Sequence, residues 1–109
     1  MTILFQCPYL NSEVELTDER EAHILERHPD LMPAPRALIE TTLRDPDEVR
    51  RSTRFSSGRL FSRWFDTVRG GKHVVVVVIS DTGSVDRHWI ITAYVARRLS
   101  EGVSEWKRT

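Results

Sequence analysis

The run Val74-Val75-Val76-Val77-Val78-Ile79 is apolar at every position. Successive side chains of a strand point to opposite faces, so such a run needs cover on both sides. It is strand-sized and far too short to cross a membrane as a helix. The segment is therefore expected at the centre of a sheet, with helices covering one side.

The flanks supply the remaining elements. Val49–Phe55, Leu60–Val68, Lys72–Ser80 and His88–Val95 predict four strands. Ser56-Ser57-Gly58, Gly70-Gly71 and Asp81-Thr82-Gly83 are short connections suited to antiparallel hairpins. Ahead of them, Thr17 offers a hydroxyl cap and Asp18 and Glu19 place acids in a first helical turn. Pro29 closes that helix at His28. Ala34–Arg44 predicts a second helix, with Pro35 in its first turn and Leu38, Ile39 and Leu43 as its apolar stripe. Thr2 to Leu16, broken by Pro8 and Asn11, reads as a short strand or extended arm, and Arg97 to Thr109 as a short helix or tail. The expected fold is α+β, with two N-terminal helices packed on one face of a four-stranded antiparallel sheet. At 109 residues it is a single domain with one core.

In the last strand, simple alternation turns Trp89, Ile91, Ala93 and Val95 inward and His88, Ile90, Thr92 and Tyr94 outward. The Thr92 and Tyr94 hydroxyls then point the same way, about 7 Å apart. Arg50, Ser52 and Arg54 likewise share a face, so a polar, arginine-bearing side of the sheet is expected to stay open. On the first helix, Arg20, His23 and Arg27 fall on one side, and His23 and Arg27 can converge. His28 projects onto the apolar side between Ile24 and Leu25, as a hydrogen-bonded core histidine would. The plainer reading is a solvated helix face and an ordinary polar strand face.

Net charge is zero, which alone argues against a general nucleic-acid binder. Yet residues 1–48 carry 11 acidic and 4 basic side chains, and residues 49–109 carry 5 and 12. Such a division can hide a basic face behind a neutral total. Arginine outnumbers lysine 14 to 2, which suits bidentate phosphate contact, although GC-rich coding alone raises arginine too. The lone Cys7 forms no internal disulfide and reads as a small buried hydrophobe; a reducing cytoplasm is the expected compartment. The N-terminus lacks a secretion-signal layout. His23 and His28 are five apart rather than four, and His73 and His88 fall in separate strands, so no metal site is expected. There is no nucleophile elbow and no phosphate loop, and no cofactor is expected.

The order of these features resembles the phage-type nucleases of the barnase–EndoU–colicin–RelE-like superfamily. The likeness runs from about Thr17 to Gly102. It rests on His23-Ile24 with Arg27-His28-Pro29, on Leu43-Arg44-Asp45-Pro46-Asp47, and on the aromatic strand Leu60-Phe61-Ser62-Arg63-Trp64-Phe65. Gly71-Lys72 opening the valine strand and Thr92-Ala93-Tyr94 complete it. The resemblance implies a metal-independent, toxin-like endoribonuclease acting on RNA such as tRNA or mRNA, with an antitoxin or immunity protein as partner. It implies His23, Arg27, His28, Thr92 and Tyr94 as catalytic residues. Arg63, Trp64, Arg97, Arg50 and Arg54 are the candidate substrate-binding residues. The alternative is a non-catalytic RNA- or protein-binding module.

The residue types fit that chemistry. RNA cleaves itself when its 2′-hydroxyl is deprotonated and attacks the adjacent phosphorus. Histidine can take that proton or return one to the leaving 5′-oxygen. Arginines supply donors for charge building on the phosphorane oxygens.

Overall fold

In the computed structural model, which describes residues 1–109, the valine run lies in the middle of a seven-stranded mixed sheet. Strand β5 (Lys72–Thr82) carries it between β4 (Gly58–Phe65) and β6 (Asp86–Ala96), antiparallel to both. Val74 to Val78 are each no more than 3% exposed. Both faces are covered, by different means. Val74, Val76 and Val78 join the helix-side core, whereas Val75 and Val77 pack with Leu60 beneath Ile91, Tyr94, Ala96 and Leu99. Burying one valine contributes roughly 1.5 kcal/mol or more, so this strand anchors both layers.

The expectation of two N-terminal helices on a four-stranded antiparallel sheet is overturned at both ends of the chain. A hairpin of β1 (Thr2–Cys7) and β2 (Ser12–Thr17) precedes the helices. A last strand, β7 (Val103–Lys107), follows β6 and pairs with β3 (Glu48–Arg51). The order across the sheet is β1-β2-β6-β5-β4-β3-β7. The sheet is mixed because β2 runs parallel to β6, meeting it through Glu15 and Trp89. Pro8 and Asn11 build the hairpin turn: Pro8–Leu10 form a 3₁₀ turn, and Asn11 takes a left-handed φ of 51°. At the other end Gly102, with φ 88°, redirects the chain so that β7 returns to β3.

Helix α1 (Asp18–Arg27) starts where Thr17 accepts a hydrogen bond from the Arg20 N–H at 3.2 Å, and it stops ahead of Pro29. Helix α2 (Pro35–Arg44) follows a short 3₁₀ turn at Pro29–Leu31. Ile24, Leu31, Ile39 and Leu43 bury against Phe5, Val14, Leu16, Val49 and Phe61 of the sheet. No helix is long and apolar enough to cross a membrane.

A bulge in β6 corrects the simple alternation expected there. Val77 pairs with Thr92 and Val78 with Ile90, which leaves Ile91 as an extra residue. The strand therefore changes phase. Ile90 and Ala93 both enter the helix-side core, while Ile91 and Tyr94 pack on the other face. His88 is buried rather than outward, sharing a 2.7 Å hydrogen bond between its Nδ1 and the Ser80 hydroxyl. The division of charge along the chain also largely closes on itself. Glu15 pairs with Arg87, Glu48 with Arg50, and Asp45 with Arg63 and Arg108.

Candidate functional site

Helix α1 follows directly on β2 and brings Arg20, His23 and Arg27, which share one side of it, to the wall of a cleft floored in part by β6. The β3–β4 loop brings Arg54, Phe55, Ser56 and Ser57 to the opposite wall, and Glu101 comes from the segment before β7. Val77, Ile79, Trp89, Ile91, Thr92 and Tyr94 form the floor. Together they enclose an open cleft of about 970 Å³. The bulge shapes this floor: with Ile91 as an extra residue, Trp89 and Thr92 both face the cleft although three positions apart.

The electrostatics of the cleft are uneven. Arg54 lies 3.7 Å from Glu101. Arg20 and Arg27 have no carboxylate within ion-pair distance, and Arg20 Nη1 is 3.5 Å from the Ile91 carbonyl. Among the three arginines that line the cleft, these two are the cations with no protein counter-charge. Burial raises the pKa of the Tyr94 phenol, and the Glu101 charge adds to this against the opposing pull of Arg54. Tyr94 therefore stays a neutral phenol at physiological pH and offers its O–H as a donor.

The structure brings together His23, Arg27, Thr92, Tyr94 and Arg54 in this cleft. His28 adjoins it from outside the lining. The helix has already ended at Arg27, so His28 leaves the helical phase that would have placed it in the core. It is half-buried beside Tyr94, with ring centroids 6.0 Å apart. Arg50 lies just beyond, in a smaller pocket that shares Tyr94 and Glu101 with the cleft. Three candidates lie elsewhere. Arg63 donates to the Asp45 carbonyl and carboxylate at 2.7 and 2.9 Å, tying β4 to the end of α2. Trp64 sits edge-on to His73 and donates its indole N–H to Asp66 at 2.7 Å. Arg97 is exposed and makes no ion pair.

Several lining residues carried little signal in the sequence. Ser56 and Ser57 read as turn residues, Phe55 as the end of a strand, and Glu101 as part of a tail. Trp89 was hidden by the bulge. No group of three or more His, Cys, Asp or Glu side chains is placed to hold a metal ion.

Fold and cleft together define a small mixed-sheet α+β protein with a cationic, hydroxyl-bearing cleft drawn from both halves of the chain. Compared with known proteins, the chain matches no family model, no curated protein and no solved structure.

Proposed function

We propose that this chain is a metal-independent endoribonuclease whose active site is the arginine-lined cleft. The observation that carries the reading is the placement of His23 between two arginines without counter-charge, Arg20 and Arg27, facing the hydroxyl-bearing residues Thr92 and Tyr94. An anion is what such a cleft lacks. A phosphodiester supplies one, and Phe55 and Trp89 add aromatic faces on which bases of a single strand stack.

The reaction begins with removal of the 2′-hydroxyl proton. The freed oxygen attacks the adjacent phosphorus, forming the 2′-O–P bond as the P–O5′ bond breaks. The departing 5′-oxygen receives a proton. The products are a 2′,3′-cyclic phosphate and a 5′-hydroxyl. Two groups in the cleft can carry protons, the His23 imidazole and the Glu101 carboxylate, and they serve as the acid–base pair. Arg20 and Arg27 stabilise charge on the phosphorane oxygens. Thr92 and Tyr94 position the phosphate by donating hydrogen bonds. His28 acts through Tyr94, whose ring it abuts.

A toxin-like, cytoplasmic role goes with this reading, and an acidic segment of an antitoxin or immunity protein is the partner that would neutralise the cleft. The buried, unpaired Cys7 suits a reducing compartment.

The test is incubation of the purified protein with end-labelled total RNA and tRNA in EDTA, beside His23→Ala. The expected result is cleavage by the wild type alone, leaving cyclic phosphate ends. Loss of cleavage in EDTA, or 5′-phosphate products, overturns the mechanism. Salt-sensitive RNA binding without cleavage identifies a binding module instead.

A further inference from the structure

The sheet ends in two free edges, β1 on one side and β7 on the other. A free edge offers a row of backbone donors and acceptors to any strand it meets, and proteins that stay monomeric blunt it. Strand β7 is blunted. It carries Glu105 and Lys107, and its pairing with β3 breaks register between Val49 and Arg50.

Strand β1 has none of these devices. Its residues, Thr2-Ile-Leu-Phe-Gln-Cys7, include no charge and no proline, and they pair with β2 throughout without a register shift. Outside that ladder no hydrogen bond uses the backbone of Thr2–Gln6. Leu4 projects from the strand 53% exposed. On the opposite face Phe5 is buried in the helix-side core, with the partly buried Ile3 packed against the same core.

The composition of this edge says what covers it. An uncharged strand gives a charged partner strand nothing to pair with, whereas it suits a second copy of itself. About a two-fold axis normal to the sheet, two β1 strands run antiparallel and opposed residues share a face. With that axis through Leu4, Leu4 meets its own copy, Ile3 meets Phe5, and Thr2 meets Gln6. Apolar residues then oppose apolar ones, two polar side chains oppose each other, and no like charges meet. We propose that β1 is a homodimer interface, through which two copies join their sheets edge to edge over Thr2–Gln6. Beyond Cys7, Pro8 and its turn end the strand. Glu15 is paired both with Leu4 and with Trp89 of the cleft floor, so both clefts open on the same face of the joined sheet. Dimerisation of this kind is independent of what the cleft binds or cleaves. A contact centred on so short a strand is small against the roughly 20–30 residues a side of a standard interface, so the dimer forms at micromolar rather than nanomolar concentration.

The test is sedimentation velocity of the purified protein over a concentration series, with Leu4→Lys, Leu4→Glu and Val103→Lys alongside. Leu4 is exposed in the single chain, so neither change disturbs the core, and circular dichroism checks this. The wild type is expected to pass from monomer to dimer as concentration rises. Val103→Lys, at a 64% exposed residue of the β7 edge, is expected to behave alike. Leu4→Lys and Leu4→Glu each set like charges against each other and are expected to weaken the dimer about fivefold or more. Mixed in equal amounts, the two are expected to associate again, because opposite charges then face across the axis. A wild type that stays monomeric throughout overturns the interface and leaves this edge to a strand of another protein. Dimerisation that survives Leu4→Lys, or is lost in Val103→Lys, places the contact elsewhere and overturns it as well. A mixture that fails to associate overturns the pairing of Leu4 with its own copy.

Discussion

Arg54 and Glu101 face each other 3.7 Å apart in the lining of the cleft, one from the β3–β4 loop and one from the segment before β7. The Glu101 carboxylate holds the third arginine of the cleft back from an incoming phosphate and adds repulsion of its own. Glu101→Gln is therefore expected to tighten RNA binding. If Glu101 shares the proton transfers with His23, the same change slows cleavage by about 10²-fold or more. Filter binding and single-turnover cleavage read the two effects separately. Unchanged cleavage would remove Glu101 from the acid–base pair.

Arg20 and Arg27 lack a protein counter-charge, so they should act on RNA as phosphate contacts. Each releases about one counterion on binding. Arg27→Ala is expected to make the slope of log affinity against log salt shallower by about 0.7 for single-stranded RNA. Arg97→Ala, at an exposed residue outside the cleft, is expected to leave that slope alone. Affinity measured across a salt series decides between them.

Gly102 and Gly70 both have positive φ, 88° and 76°, but differ in what surrounds them. A Cβ at Gly102 would sit 2.7 Å from the Arg51 carbonyl, whereas one at Gly70 meets nothing within 4 Å. Gly70→Ala carries only the backbone strain of about 1–2 kcal/mol. Gly102→Ala adds a backbone clash where β7 turns toward β3, and should cost clearly more. Urea midpoints of the two variants test the ordering.

Tyr9 donates to Glu105 at 2.6 Å and joins the β1–β2 turn to β7. Burial, then the hydrogen bond to Glu105, then its charge raise the phenol from 10.0 to about 12. The folded pKa lies above the unfolded one, so this stabilisation is complete below pH 10.0 and is lost as pH rises through about 12. Tyr94 is raised as well, and these are the chain's two tyrosines. A phenolate absorbance titration should show no ordinary tyrosine step. Tyr9→Phe should leave a single step and remove the stability lost in that window.

Much of this organisation is local and legible. The valine run, the Thr17 cap, Pro29 after α1 and the shared side of Arg20, His23 and Arg27 depend on alternation, capping and helical periodicity. Those are properties of neighbouring residues. The hairpin at the N-terminus was locally encoded too, since Phe5, Cys7, Val14 and Leu16 alternate inward, but Pro8 and Asn11 read as interruptions rather than as its turn.

The remaining features belong to contacts distant in sequence. The bulge at Ile91 depends on register with β5, and it decides that Ile90 is core and Trp89 is cleft. Strand β7 exists through its pairing with β3, about fifty residues earlier, and with it come Glu101 and the covering of Tyr94 and Arg50. Arg63 was indistinguishable in sequence from the cleft arginines until Asp45 was seen to occupy it. Periodicity along the chain determined which elements form and which residues share a face of each. Register and charge pairing between distant segments decided which faces meet, because those energies arise only when the strands are already side by side.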